Sequence, residues 1–261
     1  MSVLGRRPLP FVLAATNQGT LILNHLDLGV GWQLLARGAY DPNEVGTVVQ
    51  LLDRLKTARG PGIAAIDCGA NIGVHTITWA RHMAGWGEVI AIEAQERIFY
   101  ALAGNIALSN SFNARAIWAA VSDSGGTLMI PQPDDTQTAS YCSLELLNSD
   151  TVENIGQAIS YRPESLRAVT AMPIDSLELS RLDFIKIDVE GMEVQALNGA
   201  RDSIARYRPF LFIEHIKAGL DALNNLLAEL GYKSWDVGSN ILAIPQEDPA
   251  ADSFNIQVGS G

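Results

Sequence analysis

The chain has little cysteine, few basic residues and no long apolar run, and each shortage removes a class of protein. Only two of its 261 residues are cysteine, Cys68 and Cys142. They match neither a zinc-ligand spacing nor a redox pair, so reduced thiols in a cytoplasmic protein are expected. Lysine and arginine number 18 against 29 acidic residues, a net charge of −11. Binding nucleic acid through its phosphates needs clustered basic side chains, so no nucleic-acid partner is expected. No apolar stretch approaches the length of a bilayer-crossing helix, so no membrane span is expected. Near the start, Arg6-Arg7 and the apolar residues 8–15 imitate a secretory leader only faintly. That stretch is short, holds two prolines and runs into a turn, and it reads better as the first strand of a hairpin. What remains is ordinary for a globular protein, with 48% hydrophobic and 18% charged residues, and long enough for one large domain with an appendage.

Residues 11–15 and 20–23 flank Asn17-Gln18-Gly19 and predict that hairpin. Residues 26–40 are glycine-rich and read as irregular. Asp41-Pro42 predicts a capped helix start, and Val45, Val48, Val49, Leu52 and Leu55 recur at helical spacing up to the stop at residues 59–62. Residues 1–60 therefore form a hairpin and helix brace in front of the main domain, residues 61–246. From Ile63 strands and helices alternate, which predicts a mostly parallel sheet covered on both faces. The expected strands are 63–67, 89–93, 116–121, 184–189 and 210–214. The helices fall at about 73–83, around 101–108, at 192–206 and at 220–230, and a short added strand at 127–130. Residues 131–167 interrupt this rhythm with a polar stretch holding three of the eleven prolines. It is either a surface insertion or a lid facing a substrate. The close is two strands, 233–237 and 241–244, joined so tightly that they must be antiparallel. Residues 247–261 read as a loose tail.

The segment Asp67-Cys68-Gly69-Ala70-Asn71-Ile72-Gly73-Val74-His75-Thr76 stands where the first strand meets its helix. Such a junction turns backbone N–H groups toward a ligand. A dinucleotide fingerprint needs three glycines as G-x-G-x-x-G, and this turn has two at a different spacing. The acid at its start suits a ligand with an amino group and hydroxyls better than a bare pyrophosphate. Glu93 ends the next strand, where a carboxylate takes both hydroxyls of a ribose. Asn105, Ser122 and Asp123 fall on the same edge of the sheet, toward the base of a nucleoside, or serve only as caps and turns. His75, in the first helical turn, is expected to position the ligand. A second constellation, Lys186-Ile187-Asp188-Val189-Glu190, ends the fourth strand. Asp188 and Glu190 share one side of it. They suit a general base or a divalent cation that orients a hydroxyl, or Glu190 caps a helix and Lys186 pairs with an acid. Glu214-His215 ends the fifth strand, and His215 is a second candidate proton acceptor.

Residues 66–73, Ile92-Glu93-Ala94, residues 185–193 and residues 211–214 together resemble the FkbM-type methyltransferases, over about residues 40–245. The pairing of D-x-G-A-N-x-G with K-I-D-V-E-G-x-E carries the likeness. It implies a class I, Rossmann-like methyltransferase fold with an antiparallel C-terminal strand. It also implies S-adenosylmethionine as methyl donor and O-methylation of a sugar, glycolipid or polyketide-like hydroxyl. By that likeness Asp67, Gly69, Asn71, Gly73 and Glu93 hold the donor, and Ala70, His75, Thr76, Ser122 and Asp188 are expected to line the same site. Asp188 and Glu190 face the transfer site by the same likeness, and His215 is expected there from its place at the strand end. Cys68 stands where an apolar residue is usual, and no consequence is expected. The expected partner is a small-molecule or saccharide acceptor chosen by residues 131–167. A nucleotide-dependent oxidoreductase and a non-catalytic donor-binding module are the competing readings. Calorimetry with S-adenosylhomocysteine and with NAD separates the methyltransferase from the oxidoreductase.

Overall fold

The computed structural model describes residues 9–148 and 152–253. Arg6, Arg7 and Pro8 of the apparent leader therefore lie outside the described residues, as do residues 254–261 of the expected tail. The hairpin is present as β1 (Phe11–Thr16) and β2 (Gly19–Asn24). The stretch expected to be irregular contains a helix instead, α1 (Val30–Arg37). Asp27 supplies the missing start signal, because its carboxylate accepts from the amides of Gly29 and Gly31. Val30 and Leu34 then bury one face. The helix α2 (Pro42–Arg59) begins as the sequence predicts. Asp41 accepts from the Glu44 amide, proline follows it, and Val45, Val48, Leu51, Leu52 and Leu55 turn inward.

The main domain alternates as expected: β3 (Ile63–Cys68), α3 (Val74–His82), β4 (Gly87–Glu93), α4 (Glu96–Leu108) and β5 (Ala114–Trp118). The third expected strand splits after Trp118. Its end, β6 (Ala120–Val121), leaves the main sheet and joins β7 (Gly126–Pro131) and β8 (Leu166–Met172) in a separate three-stranded sheet. The fourth strand is shorter than expected, β9 (Phe184–Ile187), which leaves Asp188 and Glu190 in the loop beyond it. The helix expected at 192–206 breaks into α5 (Glu193–Asn198) and α6 (Arg201–Tyr207). At the break a Cβ on Gly199 would lie 2.0 Å from the Ser122 carbonyl oxygen, so only glycine fits where the two segments cross. There follow β10 (Phe210–Glu214), α7 (Leu220–Glu229), β11 (Tyr232–Val237), β12 (Asn240–Pro245) and α8 (Ala250–Ser253). The part of the tail that is described is held rather than loose. Arg59 reaches Asp248, Arg208 pairs with Glu247, and Ala251 is buried.

The seven main strands run in the order β5-β4-β3-β9-β10-β12-β11, all parallel except β12. Both faces are covered, and the strand residues alternate between them. Ile66, Ile185, Leu211 and Ile213 pack under α5, α6 and α7, while Ile63, Ala65, Phe184 and Phe212 pack under α2 and α3. Strand order reverses between β3 and β9. The crevice beyond the carboxyl ends of the strands at such a reversal is where open α/β sheets bind ligands.

Candidate active site

A cavity of about 260 Å³ occupies that crevice. Four parts of the chain enclose it. The turn after β3 brings Asp67, Gly69, Ala70 and Asn71. The end of β4 brings Glu93 and Gln95. The ends of β9 and β10 bring Lys186, Asp188, Glu190 and Glu214. The fourth wall comes from outside the sheet: Tyr40, Asp41 and Glu44 from the N-terminal brace, and Cys142, Ser143, Leu144 and Leu146 from the long insertion.

The turn is shaped by close approach. A Cβ on Gly69 would stand 1.7 Å from the Asp188 carbonyl oxygen, and one on Gly73 would stand 2.7 Å from Leu102. Both glycines also adopt positive φ, as does Asn71 at 50°. The turn's amides serve the protein itself. Gly69 and Ala70 donate to the Ile92 carbonyl, Asn71 to Glu93, and Ile72 to the Asn71 side chain. The expectation that these N–H groups face a ligand is therefore corrected. What they do is fix Glu93, whose two oxygens accept from the amides of Asn71 (3.0 Å) and Gln95 (2.7 Å). Each oxygen keeps a lone pair, so the rigid carboxylate can still accept two hydroxyls. Burial pushes its pKa up to about 7. Asp67 is buried in the floor and accepts from Thr76 Oγ1 at 2.6 Å. Thr76 and Gly73 do not line the cavity, and their service is to orient Asp67 and to pack α3 against α4.

The opposite end is built from charge. The buried Lys186 ammonium donates to Asp188 at 2.7 Å, and Glu44 and Asp67 lie close enough to raise its pKa further despite burial. Glu44 itself is held down to about 2: burial opposes ionisation, but His75, Lys186 and Asn240 outweigh it. Glu190 sits at φ 55° and pairs with Lys217, which also donates to the Ser143 carbonyl. Burial and Asp188 push Glu190 up to about 7 and, with Glu190 added, Glu214 up to about 8. Oxygens of Asp188, Glu190 and Glu214 come within 4.8 Å of one another, the one such acidic group among the described residues. Two of the three already face a lysine, which weakens the divalent-cation alternative.

The remaining expected residues fall outside the cavity. His215 Nε2 lies 3.0 Å from the Gly238 carbonyl oxygen and 3.6 Å from Asp236, turned toward the β11–β12 connection. Ser122 bonds weakly to Asp123 beside Gly199. Asn105 bridges Ile22 and Ile72, tying the hairpin to the turn. Sequence reasoning missed Tyr40, Glu44 and Ser143 as wall residues. An acid at the third helical position of α2 looks like an ordinary first-turn charge, and nothing local aims it at the site.

The seven-stranded order with one antiparallel strand, and the crevice at its reversal, define a class I methyltransferase fold. The Methyltransferase FkbM domain family matches residues 67–234, and the chain belongs to that family. Among solved structures, the FkbM methyltransferase from Methylobacillus flagellatus KT is 20% identical with a TM-score of 0.50. That match covers 70% of this chain and 43% of the other. Monomeric WbdD is 11% identical, TM-score 0.50, over 84% of this chain and 44% of the other. The chain thus spans less than half the length of either. A search of curated protein sequences found no match. Among the described residues no helix is long and apolar enough to cross a membrane.

Proposed function

We propose that the protein is an S-adenosylmethionine-dependent O-methyltransferase acting on a hydroxyl of a small-molecule or saccharide acceptor. The observation that carries it is Glu93: a buried carboxylate, fixed by two backbone amides, with its free lone pairs toward the cavity. A ribose diol satisfies them. The seven acids of the wall, Asp41, Glu44, Asp67, Glu93, Asp188, Glu190 and Glu214, suit a ligand that carries a sulfonium and an ammonium. Asn71, Gly69 and Ala70 shape the donor's seat, and Asp67 faces its amino group directly or through water. Bound there, S-adenosylmethionine supplies an electrophilic methyl group for in-line displacement.

The chain's own part is mostly positioning. Asp188, braced by Lys186, marks the transfer end. Glu190 and Glu214, both near neutral pKa, replace His215 as candidates to take the hydroxyl proton. Residues 142–146 of the insertion close over them and select the acceptor. The nucleotide-dependent oxidoreductase reading keeps the same crevice but has neither the triple-glycine turn nor a place for the antiparallel β12. The non-catalytic reading leaves two raised carboxylates without a task. Calorimetry separates the first two: binding of S-adenosylhomocysteine without NAD is expected, and binding of NAD alone would overturn the proposal, while turnover of labelled donor separates the enzyme from the non-catalytic module. With labelled donor and an acceptor panel, Asp188→Ala is expected to bind S-adenosylhomocysteine yet lose most turnover.

A further inference from the structure

The acceptor side of the cavity has one wall from the sheet, the ends of β9 and β10, and one from the insertion, residues 142–146. A single side chain joins them. Lys217 lies between β10 and α7, and its stem crosses the turn beyond β9: a Cβ on Gly191 would stand 3.8 Å from the Lys217 Cβ. That turn holds two left-handed residues in a row, Glu190 at φ 55° and Gly191 at φ 97°. Glycine adopts such a backbone freely, while a glutamate does so at a cost that its surroundings have to offset. The Lys217 ammonium, on a side chain 12% exposed, pairs with the Glu190 carboxylate. It also donates to the Ser143 carbonyl at 2.8 Å and lies 3.5 Å from a Glu153 oxygen and 3.9 Å from a Glu145 oxygen. An ammonium has three donors, so one can serve Glu190 while the others serve the insertion. The grip spreads from there. Glu145 accepts from the Glu153 amide at 2.9 Å through its side chain and from the Tyr161 hydroxyl at 2.8 Å through its carbonyl. An exposed lysine would gain little from any of these partners; one this enclosed holds them in a fixed arrangement.

We propose that Lys217 is a positioning residue for methyl transfer, one ammonium that sets Glu190 and the wall segment 142–146 in place together. This rests on the methyltransferase reading, with Glu190 as a proton acceptor. The group that takes the hydroxyl proton and the surface that seats the hydroxyl then share an anchor. The other charged or titratable groups that act on Glu190, or that it acts on, are Asp188 on its own loop, Glu193 at the start of α5, Glu214 on β10 and Cys142 of the insertion. All four oppose its ionisation when they are charged, and Lys217 favours it. When Glu190 takes the hydroxyl proton its charge vanishes, and the ammonium keeps its partners on the insertion.

Two readouts on the full chain test the two halves of the proposal without an acceptor. Hydrogen exchange read by mass spectrometry follows residues 140–147. The carboxyl carbon of Glu190, in chain labelled with carbon-13 glutamate and assigned through Glu190→Gln, follows the charge. In Lys217→Met, exchange over residues 140–147 is expected to quicken by roughly tenfold or more, the worth of a hydrogen bond from a charged group. The Glu190 titration is expected to move upward by about one pH unit, the effect of losing one close opposite charge. Affinity for S-adenosylhomocysteine should stay within about twofold, and Lys217→Arg should restore both readouts. Glu190→Gln, with the lysine in place, should also quicken exchange over residues 140–147, and it carries the test if the methionine variant does not fold. Unchanged exchange in these variants overturns the proposal. Faster exchange with an unmoved Glu190 titration assigns Lys217 to fastening the insertion alone and overturns it as well. Failure of wild type to bind S-adenosylhomocysteine is a separate result that removes the methyltransferase reading itself.

Discussion

The two ends of the cavity hold their carboxylates by different means. At the donor end Glu93 is fixed by backbone amides contributed within two residues of itself and by the neighbouring turn. At the acceptor end Lys186 holds Asp188 and Lys217 holds Glu190, with Glu214 beside them, and Lys217 also clasps the insertion. Backbone amides do not change with a side-chain substitution elsewhere. Ammonium groups do. The donor end is thus a property of the fold, while the acceptor end is a property of a few replaceable side chains, which suits a scaffold whose donor stays constant while acceptors differ.

The largest expected effect breaks this contrast at its weakest point. Replacing Lys186 by methionine leaves Asp188, Glu44 and Asp67 without their shared buried cation. Removing one partner of a buried charge pair costs about 3–5 kcal/mol. Urea unfolding should show that loss in the midpoint. A change within about 0.5 kcal/mol would mean the acids neutralise themselves by protonation and need no counter-ion.

A crossed pair of variants sharpens the same contrast at the level of binding. Glu93→Gln keeps the shape but loses the anionic acceptor and leaves one of the two backbone amides facing an N–H group. Loss of S-adenosylhomocysteine affinity by about 1.5–3 kcal/mol is expected, the worth of hydrogen bonds to a charged group. Glu214→Gln removes a comparable carboxylate from the other end and should leave that affinity within about twofold while lowering turnover. If both variants weaken the donor equally, the division into two ends is wrong.

How far the site could be read in advance follows the same line. Asp67, Gly69, Asn71 and Glu93 lie in strand–turn segments whose chemistry is local, and the sequence placed them at one edge of the sheet. The helix break at Gly199 depends on a carbonyl from Ser122, far away in the chain, and no local signal announces it. The helix α1 escapes a sequence reading for a different reason: its start signal, Asp27, is local but sits inside a stretch that its glycines make look irregular. His215 illustrates the reverse error. It follows a wall residue in sequence, but successive strand-end side chains point to opposite sides, so Glu214 enters the cavity and His215 turns to the β11–β12 connection. Glu44 was legible as a helix-start acid and no more, since its neighbour His75 arrives from a different helix.

The smallest expected effect is a pH dependence that reports on the two ends separately. Glu93 and Glu190 are raised to about 7 and Glu214 to about 8, all above their unfolded values. Between about pH 4.5 and 8 the folded chain therefore binds more protons than the unfolded one. The stability these groups contribute is complete below the unfolded pKa and is lost as pH rises through 7 to 8. Glu44, lowered to about 2, acts in the opposite sense, but its contribution is lost only below about pH 4.5, outside this window. The ligand-free thermal midpoint should accordingly fall from pH 5.5 to 8.5. S-adenosylhomocysteine changes only one part of that slope. Hydroxyls donated to Glu93 favour its ionised form and lower its pKa in the complex, so the ligand should flatten the Glu93 share and leave the Glu190 and Glu214 share standing. Its affinity should weaken below about pH 7, where the free carboxylate takes up a proton. A slope unchanged by saturating ligand would place the bound hydroxyls away from Glu93, and an abolished slope would place the ligand across both ends at once.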